Sequence, residues 1–149
     1  MSASVPSLAA FGYALAPSSE EALGVLIEMR GAIDRMAETS PAEFPTEDLL
    51  HAGCYVRTCF CPAGTVLAGA IIKVPTVVVV HGVCDVTNGT SILRVDGFAV
   101  LKGAPGRATV WRAHTDTYLT MVYASKAKTC GEAEEEFTDE FENLLTRRK

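Results

Sequence analysis

Between positions 54 and 124 short apolar runs alternate with turn signals, and that rhythm restricts the fold more than any other feature of the chain. Eight runs read as strands, at residues 55–61, 65–72, 76–80, 82–86, 91–95, 98–101, 108–113 and 118–123. Between them stand Pro62-Ala63-Gly64, Asn88-Gly89, Asp96-Gly97 and Pro105-Gly106. The Asn-Gly and Asp-Gly pairs supply the positive φ that tight hairpins need. Eight short strands with this punctuation predict an all-β sandwich or barrel, most simply a small jelly roll.

Helical patterns flank the strands. Ser18 with Glu21 forms a capping-box pattern, and apolar side chains then recur at Ala22, Val25, Met29, Ile33 and Met36, predicting a helix over 19–37. Leu23, Leu26 and Ile27 widen its apolar face, so the helix should touch both the barrel and something else. Turn chemistry over 39–45 ends it. At the other end Thr129 and Glu132 form a second capping box, and Phe137, Phe141, Leu144 and Leu145 fall at i, i+4, i+7 and i+8, predicting a helix over 131–146. Its acidic first turns and the Arg147-Arg148-Lys149 end suit the helix dipole. Residues 1–17 carry scattered apolars (Val5, Leu8, Phe11, Tyr13, Leu15) among Ala, Ser and Pro, and read as an arm ordered by packing on a neighbour. The expected organisation is one domain: arm 1–17, helix 18–38, barrel 45–124 and C-terminal helix 129–147.

Composition bears on partners. Apolar residues make up 48% of the chain and the mean hydropathy is +0.21, high for a small domain that must cover itself with polar surface. The run Thr76-Val77-Val78-Val79-Val80 is continuous rather than alternating, which predicts burial on both faces. Both features point to a homo-oligomer, a two-fold dimer by default, in which Val78→Lys would break the assembly, or the fold if that face is core. The net charge of −5 is concentrated in the C-terminal acidic run, and the 13 Lys and Arg form no basic face, so nucleic acid is not expected as a partner. No apolar run reaches the roughly 20 residues that span a bilayer, so no membrane partner is expected. No basic segment precedes the weakly apolar 5–15, so no signal peptide is expected. The odd count of five cysteines reads as reduced cytoplasmic thiols.

Constellations that carry chemistry are scarce. His51, His81 and His114 are not paired at short spacing, and each reads as a turn or rim residue. Cys59 and Cys61 lie two apart on one strand face with Cys54 just upstream; three thiolates suit zinc, but the spacing matches no common zinc ribbon or knuckle, and small buried cysteines explain them better. No nucleophile, base and orienting group come together, and residues 103–107 form a turn rather than a phosphate loop ahead of a helix. His114-Thr115-Asp116-Thr117, at a strand entrance, can orient a ligand or satisfy turn backbone, and the second reading is preferred. Tyr55 and Arg57 share a strand face that can be the barrel lumen, where an arginine is costly unless Asp116 or an acidic ligand pairs it. No catalytic residue, metal ligand or cofactor site is expected.

Residues 51–58 (His51-Ala52-Gly53-Cys54-Tyr55-Val56-Arg57-Thr58), Pro62-Ala63-Gly64-Thr65 with Gly69-Ala70, and later Gly82, Asp85-Val86, Gly97, Pro105-Gly106-Arg107 and His114-Thr115-Asp116-Thr117 resemble the small cupin-like proteins of tailed bacteriophages and prophages. The resemblance covers residues 45–122, about half the chain. It implies a mainly β fold, a single small cupin-like jelly-roll barrel with an N-terminal and a C-terminal α-helix. Cupins hold a divalent metal with a His pair and a Glu from one motif and a His from a second. In this chain Ile72 and Thr76 stand at the expected positions of the His pair, and His114 is left as the only candidate from the second motif, so the resemblance implies the fold without the metal site. The function it implies is a non-catalytic, self-assembling phage protein, a virion component or an accessory protein in the host cytoplasm, in contact with other phage proteins. Two alternatives stand beside it. One is an oligomeric binding protein for a small anion such as a signalling nucleotide, with Tyr55, Arg57, Arg107, His114 and Asp116 as candidate ligand residues and Arg94 and Arg112 also available for phosphate. The other is a metal-dependent cupin enzyme.

Overall fold

The computed structural model describes residues 11–39 and 43–147, with nothing said of the side chains of 37–39. Eight strands in chain order, β1 Ala14–Leu15, β2 Thr46–His51, β3 Cys54–Cys61, β4 Val66–Ala68, β5 Thr76–Thr87, β6 Ile92–Gly103, β7 Val110–Ala113 and β8 Thr117–Ala124, join in the order β1-β6-β5-β8-β3-β2. Strand β7 pairs with both β4 and β5. Two helices flank them, α1 Glu20–Thr39 and α2 Cys130–Phe137.

The turn of the sheet into a barrel is made by β5. Its first half, from Val77 to His81, has β8 as neighbour, and its second half, from Cys84 to Thr87, has β7. At the change-over Gly82 pairs with Gly97 of β6, with φ of 140° and 113°. A Cβ at Gly82 would overlap Thr117 and the Asp116 carbonyl, so only glycine lets the bent strand lie this close to β8. This corrects two expectations. Asp96-Gly97 is no hairpin turn but the partner of the bend, and the strands expected at 76–80 and 82–86, and at 91–95 and 98–101, are two continuous twelve-residue strands. Asn88-Gly89 is the hairpin turn, where the Asn88 carboxamide accepts from Thr90 and Ser91 N–H.

Inward side chains alternate strictly. On β5 Thr76, Val78, Val80, Cys84 and Val86 are buried while Val77 is 44% exposed and Val79 half-buried, so the valine run is not covered on both faces within the chain. The lumen is filled by Val78, Val80, Cys84, Val86, Val95, Ala99, Leu101, Leu119 and Trp111 with Cys59 and Cys61. Leu15 closes this core from the N-terminal side. Strand β1 runs parallel to β6, and Tyr13 and Leu15 carbonyls accept from Lys102 and Ala104 N–H, so the described part of the arm packs on its own barrel. Residues 1–10 of that arm, 40–42 of the 39–45 turn, and Arg148 and Lys149 lie outside the described residues.

Helix α1 begins one residue later than expected. Ser19, not Ser18, caps it by accepting from Ala22 N–H at 3.1 Å, while the Ser18 hydroxyl bonds the Ala108 N–H and the Asn88 carbonyl. Its packed face is Leu23, Leu26, Met29 and Ile33, set against Ala108, Val110, Val66, Ala68 and Ile71. Val25, Ile27 and Met36 face outward, at 45%, 58% and 64% exposure. No helix among the described residues is long and apolar enough to cross a membrane.

The C-terminal expectation is corrected more deeply. Thr129 does cap α2, accepting from Glu132 N–H at 3.1 Å, but the helix stops at Phe137 because Thr138 is extended (φ −151°, ψ 149°). Residues Phe141–Asn143 and Leu145–Arg147 form two single 3₁₀ turns. Phe137, Phe141, Leu144 and Leu145 are therefore no helical stripe. The segment folds across one end of the barrel, where Phe137 and Leu144 pack with Tyr55, Tyr123 and Ala133 in a second core. It also ends β4 early. Where a strand was expected to continue to residue 72, the Ile71 N–H donates to the Glu140 carboxylate (2.9 Å) and the Lys73 N–H to the Phe137 carbonyl (2.8 Å).

Candidate functional site

The polar groups of the barrel interior gather under that C-terminal segment. On β3 the alternation that buries Cys59 and Cys61 also turns Tyr55 and Arg57 inward, and Tyr55 stands opposite Tyr123 of β8, Arg57 opposite Met121. Tyr55 donates from its hydroxyl to Asp48 at 2.9 Å. Its ring lies 5.5 Å from that of Tyr123 and 5.8 Å from that of Phe137. Burial pushes both tyrosine hydroxyls up from their ordinary range, so each is a neutral donor.

The Arg57 guanidinium donates to Glu134 (3.3 Å) and to the Thr146 hydroxyl (3.1 Å). Glu134, 4% exposed, also accepts from Thr146 and from Arg147 Nε at 2.9 Å. Every charged group of this cluster thus has a partner from the chain itself. Asp116 is not one of them: it sits in the turn before β8, accepting from Ala63 N–H at 2.9 Å, so the expected Arg57–Asp116 pair does not form. Arg57 stands level with Met121, five positions along β8 from Asp116, too far for contact.

Arg107 belongs to the same end of the barrel. Its side chain, 3% exposed, lies over the inward face of Gly103, where a Cβ would overlap it, and donates to Thr76 Oγ1 (2.6 Å) and the Ala104 carbonyl (3.1 Å). Burial lowers its pKa to about 10, which leaves it charged at neutral pH. His114 is elsewhere, at the rim, with Nε2 2.7 Å from Asp85 Oδ2; the His114 hydrogen bond chiefly holds the Asp85 carboxyl below its usual range. Arg94 and Arg112 flank Asp85 in register on the outer face. Of the five candidate ligand residues, the structure therefore brings Tyr55 and Arg57 into contact, holds Arg107 near them, and leaves His114 and Asp116 apart.

A divalent metal does not fit this interior. Among the described residues no three of His, Cys, Asp or Glu are grouped to hold one. Ile72 packs in the second core and Thr76 serves Arg107. The neighbouring Cys61 draws the Cys59 thiol down from its usual range, while the same neighbour and burial push Cys61 up. Cys54, on the opposite face of β3, is half-exposed.

Sequence reasoning missed two features. Asp48, the partner of Tyr55, lies on β2, which was not expected as a strand; its alternation, with Thr46, Asp48 and Leu50 half-buried, shows only once it is paired with β3. The second is an open surface depression of about 220 Å³ at the β2–β3 turn, lined by Leu50, His51, Gly53, Cys54, Ser125 and Ala127.

No protein-family model matches the sequence, and no curated protein matches it. Among solved structures the chain is similar to a variant of salicylate 1,2-dioxygenase from Pseudoaminobacter salicylatoxidans, with 15% identity and a TM-score of 0.50 over 74% of this chain and 36% of that one. It is also similar to an RmlC-like cupin from Desulfovibrio desulfuricans (21% identity, TM-score 0.47, covering 55% and 82% of the two chains). A cupin domain of an XRE-family transcriptional regulator from Enterobacter cloacae matches at 9% identity and TM-score 0.47, over 57% of this chain and all of that one. Identities this low speak to the fold alone. With the bent β5–β6 hairpin and the filled lumen, the fold of this chain is a cupin-like jelly-roll barrel.

Proposed function

We propose that the protein is a non-catalytic, self-assembling interaction module whose contact surface is the outer face of the sheet β6-β5-β8-β3. The observation that carries this reading is the chemistry of that face. Val77 and Tyr118 are exposed at 44% and 49%, and Val56, Phe60, Val79, Phe98, Val100 and Val122 are half-buried around them. Phe60 and Tyr118 rings meet at 5.0 Å, and the His81 ring stacks on Tyr118 at 6.4 Å. At the centre Thr58 and Thr120 bond to each other at 2.9 Å, and the row they form with Val79 and Val100 carries no charge, while Lys102 stands opposite Val77 in the next row. A β-branched and aromatic face of this kind is complementary to itself about a two-fold axis, and its occupant in this proposal is a second copy of the chain. The interior, by contrast, is spent on core and on internally paired charges. The sequence resemblance to small phage cupins is the reason for taking a virion component or accessory phage protein as its setting.

Light scattering of the full chain at micromolar concentration tests the reading. The expected mass is that of two or more chains of 15.9 kDa, falling to a single folded chain in Val77→Lys and Tyr118→Lys. A wild-type mass of one chain overturns it. Val78, 5% exposed and inward, is not an interface position, and Val78→Lys should unfold the barrel instead.

One observation favours the anion-binding alternative: among the described residues the buried Arg107 guanidinium bonds neutral oxygens, those of Ala104 and Thr76. Were that its role, millimolar phosphate would raise the melting temperature of the wild type and not of Arg107→Met.

A further inference from the structure

The sheet β1-β6-β5-β8-β3-β2 ends on the two residues of β1 at one side and on the six residues of β2 at the other. Strand β2 pairs with β3 alone, from Thr46 opposite Cys59 to His51 opposite Cys54. The Phe60 N–H donates to the Pro45 carbonyl at 2.9 Å, which fixes the parity of the ladder. Glu47, Leu49 and His51 exchange backbone bonds with β3, whereas the N–H and C=O groups of Thr46, Asp48 and Leu50 project from the opposite edge. No backbone partner among the described residues reaches those groups, and an edge of this kind is a template for another strand.

The side chains give the edge a particular match. Glu47, Leu49 and His51 stand on the outer face and are exposed, Leu49 at 51%, where it ends the outward row Val77-Val122-Val56 at the sheet margin. With a second β2 antiparallel on this edge and a two-fold axis at Leu49, Asp48 exchanges backbone bonds with Leu50 of the second copy, Leu49 faces Leu49, and Glu47 faces His51, twice by symmetry. An axis at Asp48 sets Leu49 opposite Glu47, and an axis at Leu50 sets it opposite His51. The axis at Leu49 therefore matches apolar with apolar and acid with imidazole.

We propose that the free edge of β2 is a second self-association surface, on which β2 of another copy of the chain pairs about a two-fold axis at Leu49 and continues the sheet across both molecules. This surface is separate from the outer sheet face and does not depend on it. Two strands of this length bury far less than the roughly 1,200 Å² of a stable interface, so the edge contact is weak by itself and forms at concentrations well above those that complete the outer-face contact. A chain with both surfaces uses them for different neighbours, and its assembly grows past two chains.

Full-length Val77→Lys isolates the edge, because it removes the outer-face contact and leaves β2 intact. Sedimentation equilibrium should give a single chain at about 1 μM and a mass rising toward two chains between about 0.1 and about 1 mM. Amide exchange at Asp48 and Leu50 should slow over the same range, while exchange at Leu49, already bonded to β3, should not change. Leu49→Lys in this background should keep the chain single throughout. Glu47→Lys and His51→Glu should each weaken association by about fivefold, by setting unmatched or like charges opposite each other, and the two together should restore it. All three side chains are exposed, so the fold tolerates these changes, as circular dichroism checks. A chain that stays single at about 1 mM, an association indifferent to Leu49→Lys, or a charge swap that restores nothing overturns the proposal. A wild type that is a single chain at micromolar concentration overturns the outer face and leaves the edge expectations in place, so the two failures are distinguishable.

Discussion

The Arg57 guanidinium and the Glu134 carboxylate meet at 3.3 Å across 77 residues of chain, with side chains 11% and 5% exposed. This pair ties the barrel wall to α2 and makes the C-terminal segment part of the fold rather than an appendage.

The two partners should not cost the same to remove. Arg57→Met leaves Glu134 with Thr146 and Arg147, whereas Glu134→Gln strips the counter-charge from both arginines at once. We expect a loss of about 3–5 kcal/mol for Glu134→Gln and about 1–3 kcal/mol for Arg57→Met in urea unfolding. The double variant should lose less than the sum, because the residues share one network. Equal losses would show that Arg147 contributes nothing to the cluster.

Phe137 is 1% exposed and touches both Tyr55 and Tyr123, at ring distances of 5.8 and 6.3 Å. Truncation to Ala should destabilise the protein by about 3–5 kcal/mol and loosen the whole C-terminal segment. Hydrogen exchange at Lys73, whose N–H bonds the Phe137 carbonyl, reports that loosening. Unchanged protection at Lys73 would mean that the segment is held without its aromatic anchor.

Glu140 supplies a pH dependence. Burial raises its pKa, but the Arg30 hydrogen bond at 2.7 Å and the Ile71 N–H outweigh burial and hold the carboxyl below its usual range. A carboxyl depressed in the native state adds stability above its unfolded value, about 4.3, and loses it as pH falls through the native value. The stability gap between wild type and Glu140→Gln should therefore be constant from pH 7 to 5 and close below that. A gap that widens on acidification contradicts the assignment.

Gly103 makes room for a charged side chain. A Cβ there would overlap the Arg107 guanidinium and Thr76 Oγ1, both fixed by hydrogen bonds. Gly103→Ala should cost about 1–3 kcal/mol as overpacking, and Arg107→Met in that background should recover part of it. No recovery would show that the backbone, not the arginine, resists the methyl group.

What local chemistry dictates was readable in the residues. The alternation of β3 and β8, the Asn88-Gly89 hairpin and the Thr129 cap of α2 depend on neighbours a few positions away. Asp96-Gly97 carries the same local signal as Asn88-Gly89, yet it lies inside a strand, because Gly97 faces Gly82 where the long hairpin bends. Helix α2 ends at Thr138 although the apolar spacing continues. Glu140 gains Arg30 and Ile71, and Glu134 gains Arg57, only if the chain turns there, and these partners are 69 to 110 residues away.

The interior polar site divides in the same way. That Tyr55 and Arg57 share a face follows from the two-residue period of a strand, whereas the choice of Glu134 over Asp116 as the partner of Arg57 follows from which segment closes the barrel end. The His51–Cys54 pairing was equally hidden, since Ala52-Gly53 lacks the Asn or Asp that marks most such turns and β2 shows its strand character only against β3. The sequence by itself determined the alternating faces of β3 and β8 and the Asn88-Gly89 hairpin, because these rest on backbone sterics and short-range periodicity. Tertiary structure alone decided the bend, the closed end and the pairing of buried charges, because a buried charge takes whichever partner the packed chain brings within reach.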